Sequence, residues 1–177
     1  MRGVLVVPLL LAAACASGGG GMSGQVDQTV HLADGSGGVL RVRSDGAKVS
    51  TLNYPLERVW RVLPSVFDSL GIPLTDLDPA QHSLGNSGMK VHKQLGKTSL
   101  VKFLDCGSGQ GFPSAETYDI QMSVRTHVEP SADGGASVST LVEAAGRPMA
   151  FAGEYVRCST KGELESRIVD GVKAQLH

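Results

Sequence analysis

The chain has 177 residues, enough for one domain with a substantial core, and its 16 Lys and Arg residues stand against 17 Asp and Glu residues, a formal net charge of −1. That balance excludes the basic surface of a nucleic-acid binder. Aromatic residues at 5% and 23 glycines argue for a β-rich fold with loops rather than a helical bundle.

At the N-terminus, Arg2 precedes an apolar run from Val4 to Ala14, broken only by Pro8. A hydrocarbon core of about 30 Å needs roughly 20 apolar residues to cross, so the run is too short to span it. One basic residue, a short apolar stretch and the small residues Ala12, Ala13 and Ala14 are the parts of an export signal, assigned here to residues 1–14. Cys15 follows directly. The string Leu11-Ala12-Ala13-Ala14-Cys15 resembles the lipobox of bacterial lipoproteins, with Ala12 where the family prefers Leu. The resemblance implies a diacylglyceryl (palmitate-type) group on the Cys15 thiol, cleavage before Cys15 and acylation of the freed amine. Two or three acyl chains, at roughly 0.8 kcal/mol per buried CH₂, anchor stably where one is marginal. The implied location is a membrane of the cell envelope, periplasm-facing, with the outer membrane favoured over the inner if the cell has two membranes; Ala16 rather than Asp after Cys15 merely fails to signal inner-membrane retention.

Residues 16–24, Ala-Ser-Gly-Gly-Gly-Gly-Met-Ser-Gly, have no apolar face and read as a flexible tether. Ten such residues reach roughly 17 Å. Residues 15–25 therefore form the lipidated tether and 26–177 one domain. With Cys15 taken by lipid, Cys106 and Cys158 remain, and an oxidising exported compartment favours their pairing as a disulfide. A metal or reactive role is less well supported, because neither cysteine has a CxxC partner or a His at ligand spacing.

Within the domain, weak strands are expected over 26–32 and 39–43. The first clear helix is 55–70. Leu56, Val59, Trp60, Leu63, Val66, Phe67 and Leu70 make one apolar stripe of helical period, with Pro55 at the first turn and Gly71 at C′. Pro64 removes a hydrogen bond to Trp60 and should kink the helix, while Trp60 belongs to the stripe and reads as core. Weak strands follow over 72–77 and 88–92, then a short helix over 97–104. The strongest strand is 117–129, where Tyr118, Ile120, Met122, Val124, Thr126 and Val128 alternate with polar residues, one face buried and one wet. Asp133-Gly134-Gly135 supplies a turn to a second strand over 136–145, completing an antiparallel hairpin. Thr160-Lys161-Gly162-Glu163 matches a capping box, opening a helix whose stripe is Leu164, Ile168, Val172 and Leu176. An antiparallel sheet with two main helices packed on one face makes an α+β, helix-grip domain.

Pro55 to Leu63, with Arg58-Val59-Trp60, followed by Ser69-Leu70-Gly71-Ile72-Pro73-Leu74-Thr75-Asp76-Leu77-Asp78, resembles the helix and following strand of BamC-type (NlpB-type) envelope lipoproteins. The later antiparallel pair and closing helix fit the same domain. Pro64, the Cys106–Cys158 pair and an insert over 94–115 depart from it. The resemblance implies an accessory role in outer-membrane protein assembly.

Chemical motifs are sparse. Leu95-Gly96-Lys97-Thr98 matches only the end of a P-loop, since Val91 stands where the first glycine is required. No Gly-x-Ser-x-Gly elbow occurs. His31, His82, His92, His127 and His177 are scattered, and Asp76 and Asp78 before Pro79 read as turn formers. With no nucleophile, base and orienting group together, the expectation is a non-enzyme without cofactor or metal. The glycine-rich stretch Gly107, Gly109, Gly111 and Phe112 is the candidate loop for an envelope protein partner. The alternative is a carrier holding a small apolar ligand or lipid in a helix-grip cavity lined by Trp60, Tyr118 and Met122.

Overall fold

The computed structural model describes residues 26–31, 39–43, 46–109, 111–150 and 153–177; the export signal, Cys15 and the tether lie outside the described residues. In chain order come β1 (Val26–His31), β2 (Val39–Arg43), β3 (Lys48–Leu52), α1 (Leu56–Leu70), β4 (Asp76–Asp78) and β5 (Ser83–His92). The middle of the chain holds short pieces: β6 (Gln94–Leu95), β7 (Thr98–Ser99), a 3₁₀ turn (Leu100–Lys102), β8 (Leu104–Asp105), β9 (Ser108–Gly109), β10 (Phe112–Pro113) and α2 (Ser114–Thr117). Then follow β11 (Tyr118–Pro130), β12 (Ala136–Pro148), β13 (Val156–Thr160) and α3 (Glu163–Leu176).

The class is α+β, and every strand pair among the described residues is antiparallel. The main sheet runs β1-β2-β3-β12-β11-β5-β6-β7, with β13 on β12 and β4 on β5. Its centre is the β11–β12 hairpin, in continuous register from Tyr118↔Pro148 to Pro130↔Ala136. The alternation read from the sequence is realised: Ile120, Met122, Val124, Thr126 and Val128 are buried, while Asp119, Gln121 and Arg125 are exposed. Thr126 and Thr140 face each other on the inner side with their hydroxyls 2.9 Å apart, so the one polar pair in that row satisfies itself.

α1 buries Val59, Leu63, Val66 and Phe67. These join Ile120, Met122, Leu164, Ile168 and Val172 in one cluster, each full burial of a Leu, Phe or Ile contributing about 1.5–3 kcal/mol. α1 contacts β11, β12 and α3, and α3 contacts β12. The two helices approach closely at Gly171, where a methyl group would lie 2.7 Å from Val66 Cγ1. α1 runs through Pro64 as one 15-residue helix, and half-buried Trp60 packs on the core edge.

The expected strand over 72–77 contracts to Asp76–Asp78. The reason lies in the helix end: Gly71, at φ 76°, bonds its N–H to Asp68 O, and Ile72 N–H bonds to Phe67 O, both at 2.9 Å. This Schellman closure uses the Ile72 donor, and Pro73 has none. The expected helix over 97–104 is instead β7, a single 3₁₀ turn and β8, because Gly96 at φ 56° turns the chain into a β6–β7 hairpin. β5 extends further back than expected, to Ser83, and β3, β13 and α2 are additional. The capping box is not formed. Gly162, at φ 82°, is the residue before α3, and Thr160 belongs to β13.

Candidate functional site

Residues 94–115 are the insert that departs from the resembled domain. In the fold most of this segment is structural: Leu95, Leu100, Phe103, Leu104, Cys106 and Ala115 all belong to the buried cluster. Arg167 of α3 ties it down, bonding Glu163 Oε1 and Thr98 Oγ1 at 2.8 Å each and lying 5.3 Å from the Phe103 ring centre. The Leu95-Gly96-Lys97-Thr98 string is thus a docking turn, and Gly96 packs back to back with Gly71: a methyl on Gly71 would lie 2.8 Å from Gly96 Cα.

Only the stretch from Gly107 to Pro113 stands out from this base. β8 pairs with β13, Asp105 opposite Ser159 and Leu104 opposite Thr160, so the next residues, Cys106 and Cys158, face each other across the strands. They form a disulfide with Cα atoms 4.2 Å apart. Immediately after it Gly107, at φ 77°, turns the chain; its N–H bonds to Asp105 Oδ1 and its carbonyl accepts from Ser114 N–H, both at 2.9 Å. β9 and β10 then pair, Gly109 opposite Phe112 and Ser108 opposite Pro113. The result is a small hairpin clamped at its base by a covalent bond and two hydrogen bonds. Phe112 on it is 62% exposed, and residues 106–115 carry no charged side chain.

Beside the hairpin is an open crevice of about 380 Å³, with Val101, Leu104, Cys106, Pro113 and Ala115 as apolar walls and Asp105, Ser108 and Lys161 as polar ones. The Lys161 ammonium donates to Val101 O at 2.7 Å, so the crevice mixes apolar walls with a polar rim. Such a place accepts an apolar side chain and an extended backbone from another molecule. Of its polar side chains, Asp105, Ser108 and Lys161, Asp105 Oδ1 accepts the Gly107 N–H and the Lys161 ammonium is on Val101 O.

The other residues singled out by the sequence are dispersed. His82 stacks edge-on against Trp60 at 5.5 Å with its Nε2 3.6 Å from Glu57. His92 sits near Asp119, His127 near Glu129, and His177 near Tyr54. Asp78 Oδ1 accepts the N–H groups of Ala80 and Gln81 at 3.0 and 3.1 Å, the turn-forming role read for it. Among the described residues no three His, Cys, Asp or Glu side chains are grouped to hold a metal ion. One surface went unread in the sequence, a depression on the outer face of β5, β11 and β12; the wet-face alternation marks its residues, but the strand partners that gather them were not foreseeable.

Neither a family model nor a curated protein matches this chain.

Proposed function

We propose that this chain is a lipid-anchored envelope lipoprotein and a non-catalytic interaction module, held to a bilayer through acyl chains on Cys15 and facing the periplasm, in the outer membrane where a cell has two. Its partner is another protein of the envelope, engaged by the hairpin that carries Gly107, Gly109, Gly111 and Phe112. The observation that carries this reading is the clamped hairpin itself: an uncharged loop with a large aromatic residue exposed and a covalent staple at its base. A disulfide suits an oxidising exported compartment, in agreement with the export signal and Cys15. Pre-ordering a loop reduces the entropy lost when it binds, which is the use of a staple in a recognition element.

A link to outer-membrane protein assembly rests on the BamC-type resemblance of the sequence, with which the order α1, short β4, the β11–β12 pair and closing α3 is consistent. The carrier alternative has less behind it. Leu63, Phe67, Ile120 and Met122, from helix and sheet, are each at most 1% exposed within one shared cluster, so side chains occupy the space a lipid would need.

Anchoring is tested by Cys15→Ser. The variant is expected to lose labelling by radioactive palmitate and to accumulate as an unprocessed precursor. A mature, labelled Cys15→Ser protein would falsify the anchor.

A further inference from the structure

The outer face of the sheet holds a hollow built from cross-strand rows. Register sets His92, Asp119 and Arg147 side by side, and in the next row Lys90, Gln121, Ala145 and Arg157. Between them lies a space of about 180 Å³ bounded by Lys90, His92, Asp119, Gln121, Arg147 and Tyr155. The Arg147 guanidinium lies 5.2 Å from the Tyr155 ring centre, a cation–π contact that holds the fork in place. Asp119 is engaged by His92 at 3.9 Å. The Lys90 ammonium and the Gln121 amide have no side-chain partner among the described residues, and Arg147 has no ion pair.

Three donors without side-chain acceptors among the described residues therefore border one small hollow. Two cations against the single Asp119 carboxylate leave one positive charge, which matches a monoanion better than a dianionic phosphate. A planar guanidinium also fits a carboxylate in two-point contact. The volume is below that of pockets for drug-sized ligands, and Tyr155 and Val91 give it an apolar side. We propose that this hollow binds a carboxylate carried on a short apolar group, with Arg147, Lys90 and Gln121 donating to the oxygens and Tyr155 covering the apolar part. A second, wider depression of about 460 Å³ adjoins it and shares Gln121. Its low points are Gly88, Ser123 and Ala145, small residues beside a bulge in β5 opposite Met122 and Val124. That channel has room for more of a chain, so the carboxylate belongs either to a free small acid or to the end of a peptide.

The test is an NMR titration of the ¹⁵N-labelled full chain with three probes: N-acetylalanine, N-acetyl-trialanine with a free carboxyl, and the same tripeptide as its C-terminal amide. Both acids are expected to shift the Lys90, Gln121 and Arg147 amide signals saturably, with Kd on the order of 1 mM. A tripeptide acid about tenfold tighter than N-acetylalanine assigns a chain terminus; equal affinity assigns a small acid. Arg147→Gln and Lys90→Gln should each weaken binding at least about fivefold without moving the melting temperature. If the amide binds as well as the acid, or Arg147→Gln leaves affinity unchanged, the site is not a carboxylate site.

Discussion

Thr160 joins the end of β13 to the start of α3 through one hydroxyl. It donates to Glu165 Oε1 at 2.8 Å and accepts the Gly162 N–H at 3.1 Å. Glu165 is only 2% exposed, and its Oε2 has no hydrogen-bond partner among the described residues, so the Thr160 hydroxyl is the support its carboxyl group has there. Thr160→Val removes that support and leaves a buried carboxylate alone, a change expected to cost about 2–3 kcal/mol in urea unfolding. Thr160→Ser keeps the hydroxyl and should cost less than about 1 kcal/mol. Glu165→Gln, which retains the acceptor without a charge, should likewise be mild; a Thr160→Val loss no larger than that of Thr160→Ser would show that the hydroxyl does not hold this junction. The sequence points to Thr160 but to the wrong partner. A Thr-x-x-Glu string implies a cap on Glu163, yet Gly162 adopts a left-handed conformation and delays the helix, and Thr160 reaches Glu165 instead. Backbone handedness at one glycine decides the matter, and residue order does not display it.

At the scale of elements, two junctions hold the middle of the chain to the helices. The first is the Gly71–Gly96 contact, where the α1 terminus meets the β6–β7 turn. A methyl at position 96 would sit 2.7 Å from the Leu70 carbonyl oxygen, on a residue at φ 56°. Gly96→Ala is therefore expected to lower stability by about 2–3 kcal/mol through combined backbone strain and displacement, read as a fall in melting temperature; a change under about 0.5 kcal/mol would mean the turn lifts off freely. The second junction is the staple. Cys106 and Cys158 are 52 positions apart, and loop entropy alone puts the stabilisation at about 4 kcal/mol. Cys106→Ser/Cys158→Ser should accordingly unfold at distinctly lower denaturant than the oxidised protein, and a midpoint matching the oxidised protein's would remove the staple from the account. Both cysteines were legible as a pair from compartment and number. Their register was not, because β13 buries Cys158 alone among its five residues and β8 is two residues long, so neither shows a period. By contrast, α1, β11 and β12 have long, regular apolar patterns and read cleanly.

At the scale of the whole molecule, the charge balance, the filled core and the clamped hairpin support one economy: a rigid α+β body presenting a small preformed loop. Recognition loops placed on rigid scaffolds are a general solution; the hairpin proposed for that role differs from the rest of its segment in exposing Phe112 and lacking charge while its neighbours enter the core. The α+β class was readable in the apolar periods of α1, β11, β12 and α3, whereas the export signal and tether read from composition and hydropathy lie outside the described residues. The site was readable only as a glycine-rich stretch, since nothing in residue order says which part of 94–115 would be buried. If Phe112 touches an envelope protein, as proposed, a photo-crosslinking amino acid at position 112 in intact cells should capture it. The expected result is a discrete protein adduct that disappears when Cys106 and Cys158 are replaced by serine and is absent with the probe at Arg125 on the outer sheet face. Crosslinks to lipid alone, or a protein adduct equally strong from position 125, would contradict it.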